Sequence, residues 1–215
     1  MTLPIQSVYS APGARFSPVG SGMRKWIASS QAAGAAAMVA GLLWILVAIL
    51  KLSGPVYWAP SSDVDYLGLL TFSLALLGLM PALLGLHSQQ RHRSGRLGAW
   101  AFRAAFVGAA AAGIGSLLER GVGPTAGGGL IMLTGFVIYL PGILLLGFGV
   151  VLLGVATLRA KVFPRWVGWA IILGLPAQIL MDQGGLFLFG LLWIALGWYL
   201  FVRSQPAASA AASSA

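Results

Sequence analysis

Little in this sequence ionises, so its candidate chemistry is quickly surveyed. Of 215 residues, thirteen are Lys or Arg, four are Asp or Glu and two are His. The two imidazoles, His87 and His92, are five residues apart. Two ligands on one helical face sit three or four apart, and a bis-histidine haem wants its ligands on facing helices. No third ligand stands nearby. The pair therefore reads as interfacial polar residues, and no metal, haem or other cofactor is expected. No cysteine is present, which removes disulfides, thiolate metal ligands and a thiol nucleophile. The serines lack a neighbouring His and acid for triad work, and HExxH, a Walker-type loop and a nucleophile elbow are all missing. The glycine run at Gly127–Gly129 is not followed by Lys-Ser/Thr, so it is no phosphate cradle. The chain reads as non-enzymatic.

The strongest local constellation is basic and aromatic. Arg96, Trp100 and Arg103 are spaced i, i+4, i+7 and share one face of a helix. Arg103 lies about 9 Å along that helix from Leu97 by helical rise. Two uses fit such a face. The arginines reach toward polar headgroups while their stems stay in lipid. Alternatively, the face is a binding site for anionic lipid or for an acidic group of another subunit. Arg159, Lys161 and Arg165 beside Trp166 and Trp169 repeat the theme.

The elements that carry these residues follow from composition. Hydrophobic residues make up 59% of the chain, charged residues 8%, and mean hydropathy is +0.90. An average soluble domain is about 25% charged, so lipid rather than water must cover this surface. That excludes a soluble enzyme, a disordered tail and a nucleic-acid module, although a net charge of +9 alone would suit nucleic acid. Six continuously apolar runs are long enough to read as membrane helices: 28–50, 66–87, 97–118, 129–157, 166–182 and 185–202. Barrel strands would alternate apolar and polar instead. The expected fold is all-α, a polytopic bundle of six transmembrane helices occupying 27–203. A flexible arm is expected at 1–26 and a disordered Ala/Ser tail at 204–215. The breaks fall at Ser53-Gly54-Pro55, Ser94-Gly95, Gly121-Val122-Gly123-Pro124, Phe163-Pro164 and Asp182-Gln183-Gly184. The last two runs are short, and they read as a hairpin of two spans or as a re-entrant pair.

Charge placement orients the bundle. With the N-terminus inside, Arg15, Arg24, Lys25, Arg91, Arg93, Arg96, Arg103, Arg159, Lys161, Arg165 and Arg203 all fall on the cytoplasmic side. Only Lys51 and Arg120 fall outside, together with Asp63, Asp65, Glu119 and Asp182. Both termini are therefore expected in the cytoplasm. Trp26, Trp100, Trp166, Trp169 and Trp198 then lie near the inner boundary, as an interfacial aromatic belt requires.

Packing is legible in the glycines. Small residues recur every seven positions: Gly34, Gly41 and Ala48; Thr71, Gly78 and Gly85; Gly108 and Gly115; Gly135, Gly142 and Gly149; Gly190 and Gly197. A seven-residue step keeps them on one face, and small residues mark helix interfaces in lipid because close backbone approach drives association there. Gly78, Gly85, Gly135, Gly142 and Gly149 are the packing residues singled out. Pro81, Pro141 and Pro176 fall inside spans and are expected to bend them. The polar residues in or at the ends of the runs (Gln31, Thr71, Ser73, Ser116, Thr134, Tyr139, Thr157 and Gln178) are expected to bond local backbone or neighbouring helices.

Two stretches, LLGLHSQQRHRSGRLGAWAFRAAFVG at 83–108 and TLRAKVFPRWVGWAIILG at 157–174, resemble uncharacterised multi-pass bacterial inner-membrane proteins. In those, a basic turn followed by Gly-Arg-Leu-Gly joins two helices, and a Pro-Arg-Trp turn joins a later pair. The resemblance implies a location in the cytoplasmic membrane and transfers no activity. The functional expectation is an accessory or scaffold subunit of a larger membrane assembly, whose partners are the bilayer, anionic lipids and other membrane-protein subunits, with no nucleic acid. The alternative is a small-molecule permease or channel along kinked helices.

Overall fold

The computed structural model describes residues 20–52, 63–122 and 128–213. Six α-helices account for nearly all of them: α1 (Gly20–Leu52), α2 (Asp63–Gln90), α3 (Gly95–Ser116), α4 (Gly129–Ala160), α5 (Arg165–Leu180) and α6 (Asp182–Ser213). A π-helical turn, Leu117–Val122, prolongs α3. These helices are apolar on all sides: Val39, Leu42, Leu144 and Phe148 face outward while Trp44, Leu76 and Leu153 are buried. A helix that is hydrophobic all round belongs in lipid or deep in a core, and a chain of this size has no core large enough to hide them all. Five helices, all except α5, are long and apolar enough to cross a bilayer. The chain is a multi-pass, all-helical membrane protein.

The fifth expected run, 166–182, differs in length. α5 has sixteen residues, about 24 Å of rise, short of a hydrocarbon core of ~30 Å. The turn at Met181 reverses the chain before the run expected to 182 is complete, its N–H donating to the Ala177 carbonyl at 2.9 Å. At the ends, α1 begins at Gly20, within the arm expected to be flexible to residue 26, and α6 continues to Ser213 through the segment expected to be disordered. Extending an existing helix needs no new nucleus, and alanine is the residue most favourable to it. Residues 1–19 of the arm, the Ser53-Gly54-Pro55 break, the Gly123-Pro124 break and Gly127 lie outside the described residues.

Each helix packs antiparallel against its sequence neighbours, and α6 closes back on α1, so the six form a ring. The seven-residue glycine series set the closest joints. Gly34 faces Gly197 and Gly41 faces Gly190 across α1 and α6; a Cβ on Gly41 would lie 2.5 Å from the Gly190 carbonyl oxygen. Gly135, Gly142 and Gly149 of α4 lie against the backbone of Glu119, Ala112 and Ala105, and Gly108 and Gly115 of α3 return the contact onto Leu146 and Tyr139. Gly85 abuts Ala33, whereas Gly78 meets Ala40 at an ordinary 3.4 Å. Backbones this close gain dispersion along whole turns, the attraction that remains when lipid replaces water.

The inward stripes fill the ring. Trp44, Leu76, Leu79, Leu83, Leu86, Val150, Leu153, Val167 and Leu200 are all buried. Trp44 meets Phe72 and Phe189 edge to face at 5.5 and 5.2 Å. Between α4, α5 and α6 an apolar cavity of about 20 Å³ is bounded by Val150, Val167, Ile171, Phe189 and Trp193. A water needs about 10–15 Å³ and at least two polar partners, so this space suits a dry packing gap.

Candidate functional site at the basic end of the ring

The antiparallel ring puts the α2–α3 turn, the α4–α5 turn and the Arg203 region of α6 at one end. The α2–α3 turn is built tightly. The N–H groups of Arg93 and Ser94 both donate to the Gln90 carbonyl at 2.9 Å, so the helical path continues past α2. Gly95 then takes φ of 59°, a left-handed conformation that glycine adopts freely, and α3 starts. The α4–α5 turn uses Lys161 at φ 52° in the equivalent place, where lysine bears a modest steric cost.

On α3 the structure places Arg96, Trp100 and Arg103 on the outer surface. Trp100 is 66% exposed, and the Arg103 guanidinium carbon lies 5.5 Å from its ring centroid, a cation–π pair. Arg96 stands one turn earlier, also exposed. Behind them Gly98, Ala101 and Ala105 are buried and keep the other side of α3 on the bundle. The sequence spacing thus yields an outward basic-aromatic face, with Trp100 and Arg103 in direct contact. Trp166, Trp169 and Trp198 are likewise exposed at this end. Arg203 donates to the Val162 carbonyl at 3.0 Å and lies over Phe163 and Tyr199 at 5.8 and 6.0 Å, tying α6 to the α4–α5 turn.

The histidines serve separate neighbours. His87 stacks flat on Phe102 of α3, with centroids 4.3 Å apart and planes 9° from parallel. His92 Nε2 accepts a hydrogen bond from Arg91 Nε at 3.1 Å. Among the described residues no three His, Asp or Glu side chains come together as a metal would need. The polar residues of the spans bond locally, as expected: Thr71, Thr134 and Thr157 donate to carbonyls four residues back at 2.7–2.8 Å. Ser73 donates to the Leu69 carbonyl at 3.1 Å and shares a hydrogen bond with Ser116 Oγ at 3.3 Å, joining α2 to α3.

Gln90 stands at the last turn of α2. Its side chain is fully buried, and neither amide atom has a hydrogen-bond partner. His87 Nδ1 and Ser94 Oγ are buried in the same condition. The three residues are spaced i, i+3, i+7 along the continuing helical path, so they share a face. Ser94 is pressed against Gly98, where a Cβ would collide with it. A signal was available: Gln90 extends the seven-step series Leu69, Leu76, Leu83, which is the inward stripe of α2. Burying an unpaired amide costs about 1–3 kcal/mol in proteins. Glu119 lies at the opposite end of the ring, 8% exposed, its backbone under Gly135.

No protein-family model, curated protein or solved structure matches this chain.

Proposed function

We propose that this protein is a non-enzymatic accessory or scaffold subunit of a larger membrane assembly. In this reading it has six spans, both termini are cytoplasmic, and it resides in a bacterial inner membrane like the uncharacterised proteins it resembles. α5 completes the fifth crossing with the interfacial turns at its ends. The observation that carries the reading is the contrast between an interior filled by Leu76, Leu83, Leu153 and Leu200 and an outer face that displays Arg96, Trp100 and Arg103. Chemistry on the outside of a filled bundle serves contact with lipid or protein. A permease needs groups that bind a solute differently in two states, because a ligand shifts an equilibrium only through differential affinity. The packed apolar interior offers little of that kind.

Arg96 and Arg103 are the anchoring charges, and Trp100 holds Arg103 at the interface. Each basic residue near an anionic surface contributes about 1 kcal/mol. The test is native mass spectrometry after mild extraction of the wild type and of the Arg96→Ala, Arg103→Ala double variant. The expected result is a wild type that retains a protein partner or anionic lipid and a double variant, still folded, that retains less. A protein that runs alone, holds no lipid and moves solute into liposomes in an Arg103-dependent way would establish the permease instead.

A further inference from the structure

The outer surface between α1 and α2 holds a groove of about 380 Å³, lined by Ala32, Ala33, Pro81, Leu84, Gly85 and Ser88. Its floor is made of small residues: Ala33 and Gly85 are buried where the two helices touch, and Ala32 beside them adds no bulk. Pro81 and Leu84 form the rim, both exposed. The groove therefore opens to lipid and not to the ring interior. A cavity of about 150 Å³ accepts a six-carbon ring, so this one has room for about fifteen methylene-sized groups.

Polarity changes along the groove in one direction. Pro81, Leu84, Ser88 and Arg91 follow one another at helical spacing, i, i+3, i+7, i+10, and the helical path continues as far as Ser94. The stripe passes from ring and isobutyl carbons to a hydroxyl and then to a guanidinium. Ser88 donates its hydroxyl hydrogen to the Gly85 carbonyl at 2.8 Å, and its oxygen keeps the capacity to accept. Beyond it, Arg91, His92 and Arg93 are exposed, and Arg91 Nε is occupied by His92, leaving its terminal nitrogens for another acceptor. No acidic residue lies between Asp65 and Glu119 to neutralise this turn. An apolar trough that ends in a cluster of cations has the polarity of an anionic phospholipid: chains along the trough and a phosphate at its mouth.

We propose that the α1–α2 groove seats one anionic glycerophospholipid, its chains against Ala32, Ala33, Leu84 and Gly85 and its phosphate at Arg91, with Arg93 of the same exposed turn adding positive charge near the headgroup. The site depends on the chain's lying in a bilayer. It does not depend on the accessory-subunit reading, nor on the Arg96–Trp100–Arg103 face.

Full-length protein is purified in mild detergent and offered phosphatidylglycerol, phosphatidylcholine or free glycerol phosphate, and bound molecules are counted by native mass spectrometry. In the Arg96→Ala, Arg103→Ala background, which removes the other basic face, one phosphatidylglycerol per chain is expected in excess of any phosphatidylcholine, with no retention of glycerol phosphate. Ala32→Phe fills the trough and reduces retention to the phosphatidylcholine level. Leu84→Trp, at a residue 49% exposed, does the same without touching the α1–α2 contact, should Ala32→Phe disturb folding. Removing Arg91 and Arg93 together weakens binding about 25-fold, at about fivefold for each cation. Leu144→Phe, on the exposed face of α4, leaves groove occupancy unchanged. Equal retention of the two lipids, equal effects of Ala32→Phe and Leu144→Phe, or binding of glycerol phosphate as tight as that of the lipid would overturn the proposal.

Discussion

Adding a single methyl group at Gly142 tests whether backbone contact holds the ring together. A Cβ at this position would lie 2.5 Å from the Ala112 nitrogen and 2.9 Å from both the Ala111 carbonyl carbon and its Cβ. Ordinary contacts begin near 3.4 Å, and two of these neighbours are backbone, so α3 and α4 must separate by about 0.9 Å at this level. A gap of 0.5–1 Å forfeits about a quarter to a half of each dispersion well, which is ~0.1–0.2 kcal/mol deep. Over about fifty atom pairs, the number a single buried leucine makes, the loss is about 2–4 kcal/mol. Alanine recovers about 1 kcal/mol of helix propensity, leaving a net destabilisation of about 1–3 kcal/mol. For a chain of this size that lowers the melting temperature by roughly 2–12 °C. The assay is thermal unfolding of the purified protein in mild detergent, followed by tryptophan fluorescence. The matched control is Gly129→Ala at the start of the same helix, where an added Cβ meets nothing within 4 Å. If the two variants melt together, the glycine stripe of α4 does not hold α3, and close backbone contact is not what holds the ring together.

Gln90→Leu should raise stability by about 1–3 kcal/mol in the same assay, because it removes a fully buried amide with no partner and keeps the volume. A fall in stability would show that the amide is satisfied in the membrane and that its burial is useful. Reporter fusions after residues 57, 92, 124, 162 and 210 should read out, in, out, in, in; an outside signal at 92, or matching signals at 162 and 124, would refute the proposed orientation.

Composition, run length and the absence of alternation establish an all-helical membrane chain, because in lipid only helices and closed barrels satisfy the backbone and barrel strands would alternate apolar and polar. The starts of α2, α3 and α4 are legible to within about three residues, since Asp63, Gly95 and Gly129 mark them by local chemistry. The packing role of Gly142 and Gly149 could also be anticipated, because a seven-residue repeat is a property of one helix. Partner choice is not. That Gly41 meets Gly190, 149 residues away, depends on the ring closing through α6, and no local pattern records which stripe faces which. The same holds for length at the α5–α6 hairpin: the apolar run continues through residue 181, while the turn that ends α5 is set by how closely Gly185 packs on Ala177. The Arg96, Trp100 and Arg103 face was visible from spacing, and its outward direction was not, because an i, i+4, i+7 stripe looks the same whether it faces lipid or a neighbour. The burial of Gln90 is legible in the series Leu69, Leu76, Leu83, whereas its lack of a hydrogen-bond partner depends on the neighbours that the fold supplies. The α1–α2 groove belongs wholly to tertiary structure: a trough floored by Ala33 and Gly85 exists only once two helices, about fifty residues apart in sequence, have been brought side by side.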